Sequence, residues 1–244
     1  MPNYKITLEY EGSDFVGWQQ QENGVSIQGE IQYALFKLTG NKIIVFGAGR
    51  TDAGVHAYAQ VASFNLEKEI ESDVIRDALN HHLRPNLISI LLVEIVNEEF
   101  HARFTANKRW YEYKIINRRS PLTINAKRAW CVYKKLNFEK MKIQSSFYMG
   151  KHDLNAFRSS HCQSKSSIKT INSFDVTKED ENIIITVSAK SFLHSQVRIM
   201  VGTLVDIGKG NLDRSIKEII NSKKREFAGQ TAPAKGLYLK RIEY

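Results

Sequence analysis

The chain has 244 residues, 42% of them hydrophobic, and only four prolines, enough for one large domain or two modest ones with real cores and poor material for long disordered arms. No apolar run approaches the ~18 residues of a membrane helix, MPNYKITLEY lacks the basic-then-apolar pattern of a signal peptide, and Cys131 and Cys162 are too few and too far apart for a disulfide framework; a soluble cytoplasmic protein is expected. Thirty-five Lys and Arg against 26 Asp and Glu leave a net charge of +9, which favours an anionic partner.

In chain order, Tyr4, Ile6, Leu8 and Tyr10 alternate with polar residues and predict a half-buried strand. Ser26 caps a predicted helix whose apolar face is Ile27, Ile31, Ala34, Leu35 and Leu38 and which stops at Gly40. A short strand over Ile43–Phe46, a glycine-rich loop and a β-prone run over Gln60–Phe64 follow. Ser72–His81 reads as a helix and Ile88–Val96 as a strand. Further on, Arg109–Asn117 is a predicted strand with Tyr111, Tyr113 and Ile115 on one face and Trp110, Glu112 and Lys114 on the other. Ala129–Tyr133 and Ile183–Ala189 are strands, Phe138–Met149 is a helix stopped by Gly150, and helices span about Ser195–Ile207 and Asp213–Asn221. Leu237–Tyr244 closes as a strand. Each half mixes strands and helices, so the fold class is α/β (α+β) in two similar mixed domains, 1–105 and 106–244, joined near Ala106.

The charge is not spread evenly. Lys108 to Lys142 holds seven Lys and four Arg against two Glu, a net of +9, so the rest of the chain is balanced. Trp110, Tyr111, Tyr113, Trp130 and Tyr133 lie in the same stretch. Cations for phosphate interleaved with flat rings for bases are what recognition of unpaired RNA requires.

Phe46–Ala57, FGAGRTDAGVHA, is the richest local signal. As a phosphate cradle it fails: Asp52 stands where G-x-G-x-x-G needs its third glycine, and a strand rather than a helix follows. As a metal loop it offers Asp52 and His56 but no further ligand at the right spacing. His161-Cys162 is an isolated pair, and nothing matches C-x-x-C. His81, His82, His101 and His152 read as capping, surface or core residues. Two readings stay open from the pattern. Gly47, Gly49 and Gly54 supply turn geometry alone, or they mount an aspartate that Arg50 keeps ionised and that a bulky partner can approach.

Gly49-Arg50-Thr51-Asp52-Ala53-Gly54-Val55-His56 resembles the active-site loop of the tRNA pseudouridine synthase A family. Tyr10-Glu11-Gly12 with Gly17-Trp18-Gln19 is similar to that family's first strand and loop. His101-Ala102-Arg103-Phe104 with Arg109-x-Tyr111-x-Tyr113-x-Ile115 resembles its domain junction and aromatic strand. Phe192-Leu193, Val197-Arg198 and Val201-Gly202, then Gly236-Leu237-Tyr238-Leu239, are similar to its C-terminal motifs. The resemblance implies the pseudouridine synthase fold, with a largely antiparallel sheet and helices on one side in each domain. It implies an isomerase acting on uridines 38, 39 and 40 in the anticodon arm of tRNA, a homodimer, and no cofactor or metal. It also implies roles: Asp52 catalytic, Tyr111 stacking on the target base, Arg198 pairing with Asp52, Arg50 holding the loop and contacting RNA, and Leu237 lining the apolar side of the pocket. Gln196 stands where the family usually has Met, and Lys165 where it has Arg, which keeps the charge and loses the bidentate fork.

The implied chemistry suits the residues. Breaking N1–C1′, turning the uracil and joining C5 to C1′ transfers no electrons and consumes no phosphate. A carboxylate near C1′ attacks it or removes a proton there; both routes stay open. Two other classes stay open from residues alone: an RNA-binding module without activity, and a glycosylase that releases free base.

Overall fold

The computed structural model describes residues 1–160 and 162–244, so His161, and with it the His161-Cys162 pair, lies outside the described residues. The chain divides into two compact units, Met1–Asn107 with Tyr238–Tyr244, and Lys108–Leu237.

In the first unit β1 (Asn3–Tyr10) is flanked antiparallel by β4 (Ile88–Val96) and β3 (His56–Asn65). The closing strand β10 (Leu237–Glu243) adds to β3 in parallel, Tyr238 opposite His56. Tyr4, Ile6, Leu8 and Tyr10 are the buried face that the alternation predicts. α1 (Ile27–Thr39) packs on α2 (Ser72–His82), and α2 on β4. The Ser26 side chain accepts from the Gly29 amide, and Gly40 ends α1 in the left-handed conformation, φ 74°.

Residues 43–45 are not a strand. Gln28 Nε2 donates to the Val45 carbonyl, 2.8 Å, and the Val45 amide donates to Gln32 Oε1, 3.2 Å. Side chains of α1 thus satisfy the backbone that a neighbouring strand would have paired, and only Phe46–Gly47 (β2) joins β3.

In the second unit β5 (Lys108–Asn117), β9 (Asn182–Ala189), β8 (Ile168–Glu179) and β7 (Gly150–Asp153) lie side by side, all antiparallel, with β6 (Trp130–Val132) parallel to β5. α3 (Phe138–Ser145) packs on α4 (Gln196–Gly208) and on β8, and α5 (Ile216–Ser222) on β7.

Several predicted boundaries move for local reasons. α3 gives way to a 3-10 turn at Ser146, where the Ser145 and Ser146 hydroxyls donate to the Lys142 and Ile143 carbonyls, 2.8 Å each, and compete with the helix ladder. α5 begins at Ile216 rather than near Asp213 because Ser215 and Glu218 form a capping box. β7 and β8 were not foreseen. A register shift between Ile171 and Ser173 leaves the buried residues of β8 at Ile171, Phe174 and Val176, which breaks the period of two.

Candidate active site

Asp52 lies between β2 and β3, half-buried. A strand does follow this loop, and the backbone around Asp52 is fixed from three sides. The Trp18 amide donates to the Thr51 carbonyl, 3.1 Å, and the Thr51 hydroxyl bonds the Tyr10 hydroxyl in a buried pair, 2.9 Å. From β3, Gln60 donates through Nε2 to the Gly49 carbonyl, 2.8 Å, while its Oε1 accepts from the Val61 amide, 3.2 Å. The Val55 amide closes a turn on the Asp52 carbonyl, 3.1 Å, over Gly54 at φ 77°. Gly17 approaches so closely that a Cβ there would lie 2.5 Å from the Thr51 carbonyl oxygen. Of the three glycines in the loop, only Gly54 adopts a positive φ.

His56 ends the loop. It is 1% exposed, its Nδ1 accepts the Gly12 amide at 3.0 Å, and its ring stacks on Tyr238, centroids 4.7 Å apart. Through that bond this histidine fastens the Tyr10–Gly12 corner to the start of β3. Among the described residues, no group of three or more His, Cys, Asp or Glu is gathered to hold a metal ion.

The other residues singled out belong to the second unit, Arg50 excepted, which is exposed in the Asp52 loop. Tyr111 is in the middle of β5, 8% exposed, and meets Phe192 edge to face at 5.3 Å. Arg198 is in the first turn of α4. Its Nε donates to the Ala232 carbonyl, 2.8 Å, and the Ala232 amide donates back to the Arg198 carbonyl, 3.0 Å. Leu237, 5% exposed, opens β10. Tyr113 does not serve as a face for a base: it is fully buried, and its hydroxyl donates to the Pro233 carbonyl, 2.7 Å. Burial pushes that hydroxyl well above the ordinary tyrosine pKa, against a smaller downward pull from Arg198. The basic stretch therefore divides, with Tyr113 in the core and Arg119, Lys127, Arg128, Lys134 and Lys135 exposed.

A family model described as tRNA pseudouridine synthase matches residues 6–105 and 145–244. The chain belongs to the tRNA pseudouridine synthase A family. It is 51% identical over 244 residues to the tRNA pseudouridine synthase A of Anaplasma phagocytophilum (strain HZ), covering 99% of both chains. To the protein of that name from Ehrlichia chaffeensis it is 50% identical over 99% of both. To that from Maricaulis maris it is 44% identical, covering all of this chain and 98% of the relative. Mixed α/β units built on largely antiparallel sheets are consistent with the pseudouridine synthase fold, and the family is one of isomerases.

Within this family pattern the Gln196 departure has a structural account. Gln196 is 1% exposed, its Oε1 accepts the Leu193 amide at 2.7 Å, and its Nε2 lies 3.5 Å from Met200 Sδ. The amide closes the turn that leads into α4, where Ser195 is left-handed at φ 56°. Lys165 is exposed, on a segment whose carbonyls at Cys162 and Ser164 accept from Arg158, 2.7 and 2.9 Å. Sequence reasoning gave no role to Gln60, to Phe192, which it quoted only within a C-terminal motif, or to the Tyr10–Thr51 pair. Gln60 carries a faint signal, an amide inside an otherwise apolar strand; the others carry none that spacing reveals.

Proposed function

We propose that this enzyme isomerises uridine to pseudouridine at positions 38, 39 and 40 in the anticodon arm of tRNA, with Asp52 as the catalytic carboxylate. The observation that carries the reading is the likeness over the whole chain to relatives named tRNA pseudouridine synthase A, 51% identical in one case. The rigid mounting of Asp52 supports its role, because a catalytic carboxylate must be held in a productive geometry.

In this reading the target nucleotide leaves its stack at a cost of a few kcal/mol, and Tyr111 recovers ~1–3 kcal/mol by stacking on the base. Asp52 acts at C1′ while N1–C1′ breaks, the uracil turns, and C5 joins C1′ before losing its proton. Arg198 pairs with Asp52 and keeps it charged. Arg50 holds the loop and contacts RNA, and Leu237 with Tyr111 shields the detached uracil from water. Asp52 and its loop lie within residues 1–105, and Tyr111, Arg198 and Leu237 within residues 106–244. The enzyme acts as a homodimer in the cytoplasm, and the exposed cations from Arg119 to Lys135 meet tRNA phosphates.

Incubation with unmodified tRNA followed by nucleoside analysis tests the proposal. Pseudouridine is expected from wild-type tRNA and none from a transcript with cytidine at 38, 39 and 40. Free uracil identifies a glycosylase and unchanged RNA a binding module; either overturns it.

A further inference from the structure

Three rings stand in a row on the first unit: Phe46 of β2, then His101 and Phe104 in the segment after β4. Centroids are 4.9 Å apart from Phe46 to His101 and 4.4 Å from His101 to Phe104, at interplanar angles of 41° and 37°. Phe104 is 74% exposed and Phe46 44%, so the row adds little to the core beneath it.

The segment carrying the rings is nonetheless fixed. Ala102 is fully buried, packs with Ala48 and Val61, and donates its amide to Ser63 Oγ of β3, 3.1 Å. The Phe104 and Thr105 amides both donate to the His101 carbonyl, 3.1 Å each, and the Thr105 hydroxyl closes on the same oxygen. The Arg103 amide donates to His101 Nδ1, 3.1 Å, which locks the imidazole within its own turn. The Arg103 guanidinium lies 5.6 Å from the centre of the Phe104 ring.

An exposed phenylalanine gains little from folding, so its rigid display beside a cation calls for another account. A flat ring held in place loses little entropy when a flat partner covers it, and every nucleobase offers such a face. We propose that Phe104, backed by His101 and Phe46, is a stacking platform for an unpaired base of tRNA other than the one Asp52 acts on, with Arg103 serving the adjoining phosphate. The inference rests on tRNA being the substrate. A nucleic acid fits better than a second apolar protein surface because a guanidinium borders the exposed ring.

The test measures the affinity of the full chain for an unmodified tRNA transcript. Phe104→Ala raises the Kd by about tenfold or more. Phe104→Leu, which keeps apolar bulk without a ring, behaves like Phe104→Ala. Phe104→Trp binds as tightly as wild type, and tRNA quenches its added indole beyond the response of the three native tryptophans. Unchanged affinity in Phe104→Ala overturns the platform. So does full affinity in Phe104→Leu with Phe104→Ala sedimenting as a smaller species, which assigns the patch to a second copy. Pseudouridine formation by wild type is measured in parallel. If wild type forms none, the functional reading has failed; if it does and Phe104→Ala binds normally, only the platform has.

Discussion

Asp52 occupies a loop without regular structure of its own, whereas Tyr111 and Arg198 ride on a strand and a helix. The loop is rigid because single polar bonds reach it from distant segments: Tyr10 and Trp18 to Thr51, and Gln60 to Gly49. Tyr111 is held by a strand paired along its length to β9, and Arg198 by a helix in which most residues are buried. The first mounting depends on a few hydrogen bonds, two of them made by side chains that a substitution removes. The second depends on packing over many atoms and tolerates the loss of any one bond. The left-handed Ser195 at the start of α4 and the Ala232 bracket on Arg198 are where the second mounting also becomes local.

Substitutions probe this contrast. The largest effect is expected from Arg198→Ala, which removes a charge in the proposed machinery while leaving α4 in place. The turnover rate falls by about 10²–10³-fold, more than tRNA affinity does; single-turnover kinetics beside filter binding checks this, and equal losses in both would make Arg198 a phosphate contact instead. Tyr111→Ala follows, at about 10–100-fold from lost stacking, with Tyr111→Phe close to wild type; equal activity of Tyr111→Ala contradicts the stacking role. Gln60→Leu tests the loop mounting. It leaves the Gly49 carbonyl without its side-chain donor, costing about 1–3 kcal/mol by denaturant unfolding, and it lowers turnover several-fold with little change in tRNA affinity. If stability falls and turnover does not, the brace serves folding alone.

The smallest effect lies away from both mountings. The Ser167 hydroxyl, 2.6 Å from Asp153, holds that carboxyl below the ordinary range, with Lys223 and the Asn155 amide adding to it. A depressed folded pKa gives stability that is present above the unfolded value and is lost as pH falls through the folded one. Asp153→Asn therefore costs under ~1 kcal/mol near neutral pH, and its gap from wild type closes as the pH drops below the normal aspartate range, as urea unfolding at several pH values would show.

The same contrast explains what was legible from sequence. α1 was readable because its signals are its own: a Ser26 cap, an apolar face at helical spacing, and Gly40 at the end. β1 was readable from its alternation. β8 was not, since a register shift removes the period, and the strand expected at 43–46 failed because glutamines of α1 took its backbone bonds. Spacing alone left the Asp52 loop open between a turn and a catalytic mount; the likeness to a known family is the ground for proposing the second. The brace through Gln60 joins residues 11 apart, and the Tyr10–Thr51 pair residues 41 apart; pairings of that kind become visible only once the strands are side by side.

The central claim is that Asp52 performs the chemistry on a mounting that exists without it. The most direct measurement compares wild type and Asp52→Asn on the same tRNA transcript, reading pseudouridine by nucleoside analysis and affinity by filter binding. The account predicts that Asp52→Asn folds, binds tRNA within a few-fold of wild type and forms no pseudouridine above background. Pseudouridine formed by Asp52→Asn at a rate near wild type would contradict it.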